Sequence, residues 1–336
     1  MAKHTIVLIP GDGIGPEVSG ATKRVIEAAG LSVEWVELPA GATAVEQGFE
    51  TVLPQRTLAA IQAHRVALKG PVTTPIGKGF TSVNVQLRKK LNLYAAVRPS
   101  HSLAGVKTRF ENVDIIVIRE NTEGLYSGLE QEVVPGVVTS LKVATEVACT
   151  RIARFAFRFA TRHHRKKITV LHKANIMKMS DGLLLTCARR IHEDEYPNIE
   201  YEEMIIDAGC MKLVQDPTRF DVLLTENLYG DVVSDLCAGL VGGLGVVPGS
   251  NIGDDAAVFE AVHGSAPDIA GKGVANPLAL IMSGVMMLDH LHEAALAQKI
   301  RRAYEAVLVE GKTLTRDLGG TAGTGEFVEA ILSKLR

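Results

Sequence analysis

Apolar and polar positions along this chain follow two rhythms. Short runs rich in Val, Ile and Leu, at residues 6–9, 33–38, 66–68, 115–118, 168–171 and 222–224, are bounded by turn residues and predict strands. Between them, segments at 16–29, 57–63, 146–161, 182–192 and 294–309 place apolar residues every three or four positions, which predicts helices with one inward face. Strand and helix in alternation argue for an α/β fold with a largely parallel core sheet. No internal repeat or low-complexity linker interrupts the pattern. A domain boundary must therefore be crossed by ordinary chain, and the candidate crossings are 94–99 and the Gly-rich stretch 239–245.

Composition narrows the class. At 336 residues and 46% apolar content, the chain can bury one large core or two ordinary ones. A net charge of −2 argues against a general nucleic-acid binder, and the basic run at 162–167 reads as a solvated helix end. The four cysteines lack any CxxC spacing, which fits free thiols in a reducing compartment. Met1 runs straight into a strand with no apolar or Arg-rich leader, and the apolar run at 278–288 is too short to span a bilayer. The expectation is a soluble cytoplasmic protein.

The stretch 227–235 (NLYGDVVSD) follows a strand and leads toward a helix, so Asp231 and Asp235 share a face. Two close carboxylates repel unless a cation lies between them, and oxygen-only donors suit Mg²⁺ or Mn²⁺. An acidic first helical turn is the plainer explanation. A second stretch, 73–88, carries Thr73, Thr74, a Gly-rich loop and then Ser82, Asn84 and Arg88 at a helix start. Hydroxyl, amide and guanidinium there form an anion receptor, to which Arg98 and Arg119 add two forks. A polycarboxylate or a phosphate would satisfy it. Tyr126, past a Gly-containing turn, is a general acid or a packed aromatic. Lys173, just after a strand, is a surface lysine or a partly desolvated base.

The small-residue loop 263–271 (HGSAPDIAG) can wrap a flat ring, with Asp268 placed to accept from ribose hydroxyls and to repel a 2′-phosphate. The early turn GDGIGPE at 11–17 spaces its glycines as GxGxG, not GxGxxG, and a tight turn into a helix explains them as well as a dinucleotide fingerprint does.

Taken in order, IPGDGIGPE at 9–17, the 82–88 helix start, RENTEG at 119–124, HKANIM at 172–177, the 227–235 stretch and the 263–271 loop resemble the isocitrate/isopropylmalate family of metal-dependent β-decarboxylating dehydrogenases. Within it, the likeness is greatest to enzymes that oxidise isocitrate with NAD. The resemblance spans nearly the whole chain. It implies two α/β domains around a central cleft, not a Rossmann fold: residues 1–97 plus 245–336 as the large cofactor-binding domain, and 98–244 as the small domain. It implies that Ser82, Asn84, Arg88, Arg98 and Arg119 hold a tricarboxylate. NAD would lie on His263, Gly264, Ser265, Ala266, Asp268 and Ile269, with Asn276 nearby and Thr73 and Thr74 toward the nicotinamide.

The resemblance further implies Asp207, Asp231 and Asp235 as ligands of Mg²⁺ or Mn²⁺, with Lys173 and Tyr126 as base and acid. Lys173 and Asp207 would serve the neighbouring protomer, so a homodimer or higher homo-oligomer is expected, with no nucleic-acid or membrane partner. Homoisocitrate, another 3-substituted malate, and a non-catalytic regulatory chain of the same fold are the alternatives.

Overall fold

The computed structural model describes residues 4–74 and 81–335. Strand β1 (His4–Ile9) leads through the glycine turn to α1 (Gly15–Ala29), β2 (Val33–Glu37), α2 (Ala42–Glu46), α3 (Gln55–His64) and β3 (Val66–Lys69). After α4 (Val83–Lys90) come β4 (Ala95–His101), β5 (Asp114–Glu120) and a hairpin, β6 (Glu130–Val134) with β7 (Val137–Ser140). Next are α5 (Glu146–Arg162), β8 (Lys167–His172), α6 (Ser180–Glu195), β9 (Glu200–Ile205), α7 (Ile206–Gln215), β10 (Val222–Thr225) and α8 (Asn227–Leu240). Then follow β11 (Pro248–Ile252), β12 (Ala257–Ala261), α9 (Leu278–His290), α10 (Ala294–Glu310) and α11 (Thr324–Lys334).

Ten strands form one sheet in the order β2-β1-β3-β12-β11-β4-β5-β10-β8-β9. Both wings are parallel, as the alternation of apolar runs and helices requires. The centre is not: β12, β11, β4 and β5 pair antiparallel in succession. The stretch 94–99, expected as a crossing, is largely strand β4. Arg98 and Pro99 interrupt its apolar signal, yet Arg98 pairs with Val117 and Pro99 with Ile116 in register. The second stretch ends α8 and turns at Gly242 and Gly243 toward β11, which pairs with β4. Both stretches thus feed adjacent central strands.

Helix formation follows local chemistry. Pro16 opens α1, and Gly30, at φ +110°, closes it in the left-handed conformation a β-carbon disfavours. Thr145 caps α5 by accepting from the Ala148 N–H at 3.2 Å. Almost every residue of α9 is buried, because this 13-residue helix packs under β11 and β12 and against α1 and α10. Among the described residues no helix is long and apolar enough to cross a membrane. One apolar core includes Tyr94, Ile118, Phe157, Val170 and Leu224; a second lies around Ile9, Leu53, Ile61 and Val258. The largest joins α1, α9, α10 and α11 to strands from both wings.

Candidate active site

Charged residues end several buried strands. Lys69 closes β3, Arg98 lies within β4, Arg119 is near the end of β5, and Glu260 is in β12; each is 2–3% exposed. Glu260 receives Lys69 Nζ at 2.7 Å, Arg98 Nη2 at 3.1 Å and Asn251 Nδ2 at 2.6 Å, with Arg88 Nη2 at 3.9 Å. Burial alone would raise this carboxyl, but Lys69, Arg98 and Arg88 hold it well below the usual carboxylate range. Burial in turn lowers Arg88 to about 10, so it stays charged at neutral pH. The arginines are not used up by these contacts. Among the described residues, Arg98 Nη1, Arg88 Nε and Asn84 Oδ1 are buried without a protein partner, and such atoms call for a ligand or water. Ser82 stands at the N-cap of α4, yet its hydroxyl makes no capping bond. Residues 75–80, the Gly-rich part of the expected receptor, lie outside the described residues.

Arg119 joins this receptor to α8. Its Nε and Nη2 donate to Asn227 Oδ1 at 2.9 and 2.7 Å, while Nη1 pairs with Asp231. Its guanidinium also stands 5.0 Å over the Tyr126 ring, and the Tyr126 hydroxyl donates to Asp231 Oδ2. Burial and the nearby carboxylate raise the Tyr126 phenol, so it is protonated at neutral pH. Asp231 is desolvated but held low by Arg119 and Tyr126; Asp235, one turn on, is pushed up by burial and by Asp231. The plainer explanation for the two acids, an acidic first turn, does not hold. Helix α8 starts at Asn227 and is capped by Glu226, which accepts from the Leu228 and Tyr229 N–H groups. Two carboxylates on one face, one of them destabilised as an anion, fit an oxygen-ligated divalent cation.

Lys173 and Asp207 lie together but apart from that pair. Lys173 Nζ donates to Asp207 Oδ1 at 2.5 Å, and its backbone N–H is held by buried Asp181 at 2.7 Å. Among the described residues no three His, Cys, Asp or Glu side chains of one chain gather as a metal cage.

The loop after β12 is held by the early glycine turn. Gly13 has φ +60°, and a β-carbon there would stand 2.0 Å from the Ser265 carbonyl oxygen. The Ile14 N–H donates to that carbonyl at 2.8 Å, and Thr73 Oγ1 lies 2.6 Å from Ser265 Oγ. Asp12 accepts from the backbone of Ala42, Thr43 and Thr73. The GxGxG turn is therefore filled with protein contacts rather than open to a pyrophosphate. His263 Nδ1 donates to the Gly264 carbonyl at 3.0 Å, which leaves Nε2 as an acceptor, buried without a partner among the described residues. Burial lowers the His263 ring, keeping it neutral. A neutral acceptor in a loop that also carries the exposed Asp268 and the small Gly264 and Ala266 fits a nucleoside. Ile269 is half-buried beneath them. Thr74 and Asn276 are engaged locally, Thr74 at the start of α4 and Asn276 with Asp317 and the Leu278 N–H.

Sequence reasoning passed over Lys69, Glu260 and Asn227. The available signal was a charge inside apolar strands: VALK at 66–69 and AVFEA at 257–261.

The chain matches the isocitrate/isopropylmalate dehydrogenase family model over residues 5–331. It is 54% identical to isocitrate dehydrogenase (NAD) catalytic subunit 5, mitochondrial, of Arabidopsis thaliana, covering 98% of this chain and 88% of that protein. It is 50% identical to a mitochondrial regulatory chain of the isocitrate dehydrogenase (NAD) of Dictyostelium discoideum, over 98% and 91%. The crystal structure of isocitrate dehydrogenase from Methylococcus capsulatus superposes with a TM-score of 0.95 at 51% identity, covering 99% of each chain. The mitochondrial names of the first two relatives overturn the cytoplasmic expectation.

Proposed function

Because this chain belongs to the isocitrate/isopropylmalate dehydrogenase family, we propose that it catalyses the oxidative decarboxylation of isocitrate to 2-oxoglutarate and CO₂ with reduction of NAD⁺. One observation carries the substrate: Asn84, Arg88 and Arg98 bury polar atoms without partners among the described residues, beside the Arg119–Tyr126–Asp231 group. Three guanidinium groups and an amide suit a small tricarboxylate. Ser82 and Asn84 would take its third carboxylate, where an isopropyl group would leave them unpaired.

Asp231, Asp235 and Asp207 would hold Mg²⁺ or Mn²⁺, which would supply Lewis acidity at the substrate hydroxyl, and NAD⁺ would supply the hydride acceptor. Lys173 accepts the hydroxyl proton. Arg88, Arg98 and Arg119 fix the carboxylates, and Tyr126 protonates the carbon that loses CO₂. Its raised pKa keeps that proton available at neutral pH. NAD rather than NADP is supported by Asp268, whose carboxylate repels a 2′-phosphate and suits two ribose hydroxyls. Thr73, Thr74, Gly264, Ser265, Ala266, Ile269 and Asn276 would complete the cofactor site around His263.

Separation of Lys173 and Asp207 from Asp231 and Asp235 supports a site shared between two protomers. The apolar hairpin supports it too: Val133, Val134, Val137 and Val138 are about half exposed or more, as are Met211 of α7 and Val232 of α8. A patch of that kind needs cover. A homodimer or larger homo-oligomer is our reading. We divide the chain into a cofactor domain, 1–97 with 245–336, and a domain of 98–244, joined where β4 pairs with β5.

A regulatory chain is the second reading, since one relative carries that name. The presence together of Tyr126, Lys173, Asp207, Asp231 and Asp235 supports the catalytic one. Absorbance of reduced nicotinamide, followed with isocitrate and Mg²⁺ against NAD⁺ and NADP⁺, tests both. Metal-dependent reduction of NAD⁺ is expected; silence on isocitrate with turnover of homoisocitrate would reassign the substrate.

A further inference from the structure

Away from the receptor arginines, the outer face of α5 forms a second basic cleft. Arg151, Arg154 and Arg158 recur at three- and four-residue spacing and share that face. With Arg190 of α6 they line an open cavity of about 520 Å³ that also contains Tyr94 and Phe155. That volume lies in the range of small-molecule sites. The two rings meet edge to face at 5.9 Å. Arg154 and Arg190 pair with Glu195 and Glu146 at the exposed rim, where ion pairs are weak. Asp254 is committed to the Tyr94 hydroxyl at 3.0 Å. Arg151 and Arg158 lie instead over rings, 4.2 Å above Tyr94 and 5.8 Å above Phe155. Arg151 Nε is buried without an acceptor among the described residues.

Arg151 also reaches toward the receptor. Its Nη1 donates to Asn92 Oδ1 at 2.9 Å and its Nη2 to Thr122 Oγ1 at 3.3 Å. Asn92 lies between α4, which carries Arg88, and β4, which carries Arg98. Thr122 follows β5, which carries Arg119, and its hydroxyl donates to Glu120 Oε1 at 2.5 Å. One guanidinium thus bridges the elements that set three receptor arginines.

We propose that this cleft is a regulatory site for a small phosphate-bearing anion, read by the isocitrate receptor through Arg151. Guanidinium forks match phosphate oxygens, and the flat rings beside them exclude water from one side. An oxygen drawn to Arg151 competes with Asn92 and Thr122 for the same guanidinium. Occupancy therefore loosens α4 and the end of β5 and weakens isocitrate binding. The kinetic half of this inference rests on the proposed isocitrate activity; the binding half does not.

Inorganic phosphate, titrated calorimetrically into the full chain without metal or isocitrate, tests the site. The double variant Arg154→Ala, Arg158→Ala is titrated beside it; both side chains are exposed, so the fold is not at stake. The parent should show a binding step that the variant loses or makes roughly tenfold weaker. At constant ionic strength, phosphate should raise the isocitrate KM several-fold in the parent and leave it flat in the variant, with kcat unchanged in both. Identical isotherms, or an equal rise of KM in both forms, would overturn the site, because phosphate would then be acting at the receptor arginines. Binding without any change in KM overturns its regulatory role. A parent that binds phosphate as expected yet leaves isocitrate untouched upholds the site and refutes the activity instead.

Discussion

Asp231 illustrates how much one side chain can be asked to do. It pairs with Arg119 and accepts from Tyr126, and our reading also has it offer oxygen to a cation with Asp235. The spacing of Asp231 and Asp235 was legible along the chain, because a helix repeats every three to four residues. Its partnerships were not, since Arg119 and Tyr126 stand 112 and 105 positions away. For Tyr126→Phe the acid role gives a definite expectation: kcat falls by about 10²–10⁴. The isocitrate KM should stay within a few-fold, because the arginines we propose as carboxylate ligands are untouched. Steady-state kinetics distinguish this from a binding role, in which KM would carry the loss.

At the scale of elements, α8 and the buried end of β12 fix the receptor. Gly230 lets α8 lie against β5: a β-carbon there would stand 2.5 Å from Arg119 Cγ and 2.4 Å from Thr225 Oγ1. Arg119 cannot yield at Cγ without moving its guanidinium. Gly230→Ala is expected to cost about 1–3 kcal/mol of stability by overpacking and to raise the isocitrate KM roughly tenfold by misplacing Arg119. Urea unfolding and kinetics measure the two effects separately. Glu260 has the opposite task, neutralising cations in a dry interior. Glu260→Ala leaves Lys69 and Arg98 buried without it, and should cost about 3–5 kcal/mol in urea unfolding at neutral pH. The Glu260 pKa is depressed in the fold. Its contribution is therefore complete above the unfolded value of about 4.3 and is lost as pH falls toward the folded value. Unfolding from pH 7 to 3 should show a steeper decline for the parent than for the variant. A parallel decline would show that the carboxylate is not what holds this cluster.

For the whole molecule, the sharing of sites between protomers is the decisive question. If Lys173 and Asp207 complete a partner's site, then Lys173→Met and Tyr126→Phe chains, each inactive alone, should regain activity when mixed. Each hybrid dimer then holds one intact site, so random exchange restores about a quarter of the parent's rate. No recovery after demonstrated exchange would place all the machinery within one chain. The sequence by itself determined most of the elements, the parallel wings and the chemical character of each motif, because periodicity and turn residues act over a few neighbours. It also carried enough ordered motifs for the family to be read from them. Only the tertiary structure decided that 94–99 is a central strand, that the GxGxG turn packs against the Ser265 loop, and that Glu260 gathers three cations. Those outcomes depend on which residues meet across more than a hundred positions, and in the dry interior of a packed sheet such meetings set the charge states and free valences on which the chemistry rests.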